Sequence, residues 1–375
     1  MRRNRRLLLL IAGMTLVLGG VGGAVIALTG GGANNRQRHP AQSSTTSTAA
    51  PTSTTAPPTL APLTGLFDPS GASHTRPALS VKVENTPDAR PQVGIDQADV
   101  VYEEVVEGNI TRFVAVFNST VPDTIGPVRS VRAEDPDIVW PLGGIFAYSG
   151  GAPVNVTAIQ ATPVLSVDES SAGQAMERNA AGQPSRIAPH NLYGHGPALF
   201  GLGGTPVNPA PLFEYVPVGS PAVKGIGIQS MHIGFDSGYD VTYTFDGATD
   251  AWNRFTSAGP HTTVDGGQLA PTNVVVQFTS YTGAAEGQTV GEGDVWVFSD
   301  GVLRVGRWVR PDHTLPARYV DAQGQTIRLR PGRTWVELLP VGNTVDVTPA
   351  PTTTTTTTLA PATSAPTTTT KAKKK

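Results

Sequence analysis

Only the middle of this chain has the composition to fold on itself. Residues 34–63 are mainly Thr, Ser, Pro and Ala. From about Thr348 the chain is Thr, Pro and Ala, ending in Lys-Ala-Lys-Lys-Lys. Neither arm holds enough apolar surface to offset the entropy of ordering, so both read as disordered. The first is a Pro-rich spacer, and such spacers extend by roughly 3.1 Å per residue. What remains, 64–346, is 283 residues. Domains commonly hold about 100–200 residues, which predicts two. The join is expected in the Gly/Pro-rich stretch 201–225, with GLGGTPVNPAP and VPVGSPAVKG. The expected division is 64–215 and 216–347, preceded by a membrane or signal segment (1–33) and a linker (34–63), and followed by the 348–375 tail.

The N-terminus limits where such a chain works. Arg2, Arg3, Arg5 and Arg6 precede an uncharged apolar run, Leu7 to Leu28. A bilayer-spanning helix needs roughly 20 residues. Four arginines directly before the run and none directly after it predict a single-pass anchor with its N-terminus inside and the body extracytoplasmic. The alternative is a signal peptide cleaved near Gly31-Gly32-Ala33, although this run exceeds the usual h-region of about 7–15 residues. The chain has no cysteine. It therefore has no disulfide, no thiol nucleophile and no lipidated cysteine.

Charge is unevenly distributed. The first 63 residues hold six Arg and no acid, and the last 29 hold four Lys and no acid. That leaves 17 basic and all 29 acidic residues in 64–346, a net of −12. An acidic body excludes nucleic acid, which needs a basic stripe.

From about Gly227 to Glu337 the chain alternates short β-branched and aromatic runs (IQSMHIGF, YDVTYTF, TNVVVQFT, DVWVFS, LRVGRWV, ARYV) with Gly, Asp or Pro. This predicts a mostly antiparallel β domain, a sandwich or open barrel. Asp300-Gly301 is a hairpin signal. The first half is mixed. LSVKVE and FAYSG read as strands. Asp135 to Leu142 reads as a short helix with Asp135 as N-cap and Pro136 at its first position, and Asn155 to Ala161 as another. The class is α+β.

Arg76 to Arg132 concentrates six basic and eight acidic side chains among Val, Ile, Phe and Tyr. Its centre predicts a hairpin around Gly108-Asn109. A two-residue turn puts Arg112 opposite Val105, with Glu103 and Glu107 diagonal on the same face. Glu104 is then the one charge on the apolar face, and such a charge is paired, protonated or functional. A helix with Gly108 as C-cap also fits the apolar spacing.

RPALSVKVEN, RPQVGIDQADVVYEEVVEG, TRF, IGPVRSVR and RPGRTWVELLP together resemble the YerB-like family of exported bacterial proteins, with two successive domains of unknown function. The resemblance covers most of 64–346. It implies an α+β N-terminal domain, a β-rich C-terminal domain and a place in the cell envelope. It supplies no catalytic residues. Family members similar to lipoproteins carry a lipidated cysteine, which this chain lacks.

Arg112, Arg129, Arg132 and Lys82 are candidates for an anion site, because guanidinium binds carboxylate and phosphate bidentately. Asn85 at the end of the same strand and Glu104 complete the candidate set. Internal salt bridging is the competing reading of these residues. The expected role is binding of a wall component or an envelope protein partner, without catalysis or cofactor. The alternative is a wall-glycan hydrolase using two carboxylates from Glu103, Glu104, Glu107 and Asp137. His190, His195 and His261 match no metal-binding signature. Trp252, Trp296, Trp308, Trp335 and Tyr281 suit core packing better than sugar stacking.

Overall fold

A computed structural model of the chain describes residues 59–351, apart from 181, 236, 237 and 284. The Leu7–Leu28 segment and most of both arms lie outside the described residues. No helix among the described residues is long and apolar enough to cross a membrane.

The first half contributes β1 (Leu79–Glu84), β2 (Val100–Val106), β3 (Ile110–Phe117), β4 (Thr124–Ile125), β5 (Ile145–Tyr148), β6 (Leu165–Asp168), β7 (Met176–Arg178) and β8 (Leu192–His195). Its helices are α1 (Asp135–Val139), α2 (Pro153–Gln160) and α3 (Gly196–Gly201). The second half is β9 (Ile226–Ile233), β10 (Val241–Asp246), β11 (Ala251–Thr256), β12 (Gly259–Pro260), β13 (Asn273–Thr282), β14 (Glu286–Gln288), β15 (Gly291–Ser299), β16 (Val302–Arg310), β17 (Arg318–Val320), β18 (Thr334–Pro340) and β19 (Val345–Pro349). This is the expected α+β class with a β-rich second half.

One large sheet runs through both halves, in the order β12-β11-β10-β9-β16-β15-β13-β18-β2-β3-β1-β5-β6. β18 makes the connection. It lies parallel to β13 on one side and to β2 on the other, with Glu337 beside Glu103. The second half is otherwise antiparallel. Ser299 pairs with Val302 around Asp300-Gly301, the expected two-residue hairpin. The structure adds β11, from AWNRFT, and β19, which begins three residues before the predicted start of the tail.

β1, β2 and β3 are covered on both faces. α1 and α2 pack over one face, where Ile138, Val139 and Ile159 join Val100, Val114 and Val116 in one core. The small sheet β4-β8-β7 and α3 cover the other, where Ile125, Leu192 and Leu199 meet Val81, Phe113 and Phe117. Burying a Val, Leu, Ile or Phe side chain contributes about 1.5–3 kcal/mol. The same enclosure forces every polar residue of these strands into the interior. All six residues of β1 are buried, including Ser80, Lys82 and Glu84.

The β2–β3 hairpin exists, but its register differs from the predicted one. Three residues, Glu107 to Asn109, form the turn, and both Gly108 (φ 77) and Asn109 (φ 55) take left-handed backbone. Arg112 therefore pairs with Glu104 and Val105 with Thr111. A one-residue shift moves every side chain to the opposite face. Glu103 and Arg112 thus lie on opposite sides of the sheet. α1 also begins one residue away from expectation, with Glu134 in the N-cap position.

Candidate functional site

The alternation in LSVKVE and VVYEEVV places Lys82, Glu104 and Arg112 on the face beneath α1. Lys82 Nζ donates to Glu104 Oε1 and, at 2.7 Å, to Asp135 Oδ1. All three side chains are fully buried. Asp135 Oδ2 accepts the backbone N–H of Arg132 at 2.6 Å, so the same carboxylate holds the start of α1 over the lysine. Burial pulls the Lys82 amine below its usual range, and Asp135 and Glu134 oppose that. Glu134 is also buried, and neither carboxyl oxygen has a partner among the described residues. Burial pushes its pKa up to about 8, with the Lys82 charge pulling the other way. Glu134 therefore stays protonated at neutral pH.

Arg112 is nearly buried and donates to the Ser130 carbonyl at 3.2 Å. Burial and the neighbouring Arg132 and Arg129 lower its pKa to about 10. Arg129 and Arg132 lie at the edge of this group, with side chains 17% and 14% exposed. Arg129 Nε lies 3.2 Å from Glu84, which also meets His190 Nδ1 at 3.0 Å. Arg132 Nε donates to the exposed Glu107 at 2.7 Å.

The opposite face carries a second buried group that joins the two halves. Glu103 accepts from Asn85 Nδ2 (3.1 Å), Thr111 Oγ1 (2.6 Å) and Arg254 Nη2. Arg254 also donates through Nε to the Tyr243 hydroxyl at 3.0 Å and lies 4.8 Å from the Trp335 ring centre. Tyr243 donates to Glu337. His261 receives Arg254 Nη1 at Nδ1 and donates from Nε2 to Gln92 Oε1 at 2.8 Å. Burial, Arg254 and Arg90 hold His261 well below its usual range, so it is neutral. Burial also raises Glu337 well above the carboxylate range, reinforced by Glu103 beside it.

Comparison with known proteins fits this architecture. The family profile described as the N-terminal domain of a protein of unknown function, DUF3048, matches residues 63–201, and its C-terminal counterpart matches 231–336. The chain belongs to the YerB-like family. YerB of Bacillus subtilis (strain 168), a candidate lipoprotein, is 45% identical over 93 residues. That match spans 25% of this chain and 28% of YerB's length. The crystal structure of YerB from Bacillus subtilis superposes with a TM-score of 0.66 at 23% identity, covering 77% of this chain and 99% of the other. At that identity the likeness speaks for the fold.

In this YerB-like chain five of the six candidate residues gather on one face: Lys82, Glu104, Arg112, Arg129 and Arg132. Asn85 belongs to the other face, with Glu103. Glu104 is not alone on an apolar surface, because Lys82 reaches over β3 from β1 to pair with it. Lys82 is closed to a ligand unless α1 lifts. Arg254, Glu337, Tyr243 and His261 had no place in the predicted set. Arg254 and Glu337 leave a trace as the one charged residue in each of the runs AWNRFT and TWVELLP. Trp252, Trp308 and Trp335 are core residues.

Proposed function

We propose that this chain is a non-catalytic cell-envelope protein. Its Leu7–Leu28 segment tethers it to the membrane, and its extracytoplasmic body binds a wall component or envelope protein through the Arg129–Arg132 turn. One observation carries the choice of binding over hydrolysis. Three of the four expected carboxylates are held by a cation: Glu103 by Arg254, Glu104 by Lys82, which it shares with Asp135, and Glu107 by Arg132. Glu103 and Glu104 are fully buried and point to opposite faces. Glycoside hydrolysis needs two carboxyls flanking one bond, about 5–10 Å apart. Arg129 supports the anion-binding side. Its terminal nitrogens donate to no partner among the described residues, and its side chain is partly exposed. A guanidinium at a rim, held at Nε by a carboxylate and open at its terminal nitrogens, suits a carboxylate or phosphate. The description of YerB as a candidate lipoprotein supports the outer-surface location.

The test uses the full chain in detergent micelles with insoluble peptidoglycan. Co-sedimentation that weakens on Arg129→Ala, with no soluble glycan released, is the expected result. Release of glycan that Glu103→Gln abolishes would overturn the reading.

A further inference from the structure

The two family halves enclose a pocket where they meet, beside α1. Its inner slot measures ≈ 20 Å³ and is lined by Tyr102 of β2, Ile138 of α1, Gln277 of β13 and Arg310 of β16. It shares Leu212, Phe213, Pro316, Ala317 and Tyr319 with an adjoining outer cavity, the mouth, of ≈ 300 Å³, which Ile327 also lines. Phe213 and Tyr319 are stacked, with ring centres 6.0 Å apart and planes at 22°. Leu212 and Phe213 come from the segment between the two matched family regions.

Gln277 is the decisive residue. It is 2% exposed, yet its carboxamide makes no hydrogen bond among the described residues. Gln277 is one of the residues that line the slot. A buried polar group without a partner costs about 1–3 kcal/mol. Tyr102 lines the same slot, and its hydroxyl also has no hydrogen-bond partner among the described residues. Arg310 has no spare N–H to offer a ligand in the slot. Its guanidinium is consumed by the carbonyls of Leu315 (2.7 Å), His313 (2.7 Å) and Asp137, and by Thr289 Oγ1 (3.2 Å). At the mouth, Glu214 is paired with Arg328 at 3.1 Å.

The ligand that fits is neutral, has an apolar face, and ends in a small group that both donates and accepts. An acetamido group does both, but its N–H and C=O point in opposite directions, so one carboxamide meets only one of them; Gln277 Nε2 and the Tyr102 hydroxyl can each donate to the carbonyl oxygen. A pyranose ring lays its C–H face on aromatic and aliphatic walls. The slot holds about one water-sized group, enough for the carbonyl end of an acetamido, while the rest of the sugar stays in the mouth. We propose that this junction pocket binds an N-acetylated saccharide, with Gln277 and Tyr102 reading the acetamido group. The choice of a glycan rests on the wall-ligand reading above; the pocket itself does not. Arg132 lies just before α1 and Ile138 near its end, so one wall fragment bearing both a carboxylate and an N-acetyl sugar can reach both sites.

The experiment is saturation-transfer NMR and titration of the full chain in micelles with chitotriose, using cellotriose as the sugar without acetamido groups. Chitotriose should bind, with its acetyl methyls most strongly saturated, and cellotriose should bind at least about tenfold more weakly, the loss expected from one or two hydrogen bonds. Gln277→Leu should weaken chitotriose by a similar factor and Tyr102→Phe by less, each with an unchanged melting temperature or a higher one. If Gln277→Leu does not fold, Gln277→Met and Tyr102→Phe carry the comparison. Arg129→Ala should leave chitotriose binding intact, so loss of wall binding there with retained chitotriose binding separates the two proposals. No chitotriose binding, equal binding of both sugars, or indifference to the Gln277 and Tyr102 substitutions overturns the assignment. Displacement of chitotriose by a Pro-rich peptide of the 51–63 sequence would assign the pocket to the chain's own arm instead.

Discussion

Glu103 and Glu337 lie side by side on neighbouring parallel strands, both fully buried, with Glu337 protonated and Glu103 bound by Arg254. One proton and one guanidinium thus keep two interior acids compatible at the seam between the halves. Glu337→Gln preserves the neutral, hydrogen-bonding form and should change stability by no more than about 1 kcal/mol near pH 7. Arg254→Met leaves Glu103 without its counter-ion and should cost about 3–5 kcal/mol. Chemical denaturation of both variants checks the contrast, and equal losses would contradict the assigned protonation.

Lys82 holds two carboxylates at once, so its removal strands both. Lys82→Met should destabilise by about 3–5 kcal/mol, whereas Lys82→Met with Glu104→Gln should cost less than the sum of the single changes. A double-mutant cycle by denaturant titration measures the coupling. Additive losses would mean that the pair does not interact.

Glu134 gives a pH signature with a defined sign. Its folded pKa, about 8, lies above the unfolded value near 4.5. The folded state therefore keeps a proton that the unfolded state releases, and stability must fall as pH rises from about 4.5 to about 8. Glu337, raised in the same direction, adds to this slope. Glu134→Gln should flatten it. His261 acts oppositely: neutral when folded, it removes stability as pH falls below its unfolded value near 6.5. Melting temperatures across pH 5–9 test this, and an unchanged slope in Glu134→Gln would remove Glu134 as its source.

Two glycines separate backbone strain from steric exclusion. Gly108 (φ +77) has nothing near the place of a Cβ, so Gly108→Ala should cost about 1 kcal/mol through its left-handed backbone. Gly144 (φ +75) places that Cβ against the Ala78 carbonyl oxygen, which accepts the Ile145 N–H at 2.9 Å. Gly144→Ala must shift the β1–β5 pairing and should cost several times more. Thermal melts of the two variants compare them directly.

The strand-rich second half was legible because its runs are short, β-branched and punctuated by turns. The hairpin was legible in place but not in register, because Gly108 and Asn109 mark a turn without saying whether Glu107 belongs to it. That one residue decided whether Arg112 met Val105 or Glu104. β11 was missed because AWNRFT lacks a β-branched run, and its Arg254 is a core residue whose partner Glu103 lies 151 positions away. Local periodicity carries no signal across that separation. Polar residues at alternate positions of β1 look like a wet face, and only the arrival of α1 over them makes that face dry.

The seat of β18 sets a timetable for making this protein. β2 acquires its second neighbour only when residues 334–340 exist, some 230 positions after β2 itself. Until then one edge of the central strand is bare, a template for pairing with other chains, and Glu103 waits for an arginine not yet delivered. A fragment ending at Gly225 should accordingly be cut within Val100–Val106 by a protease that spares the full chain. The last tenth of the folded body is what turns the first third into a finished structure.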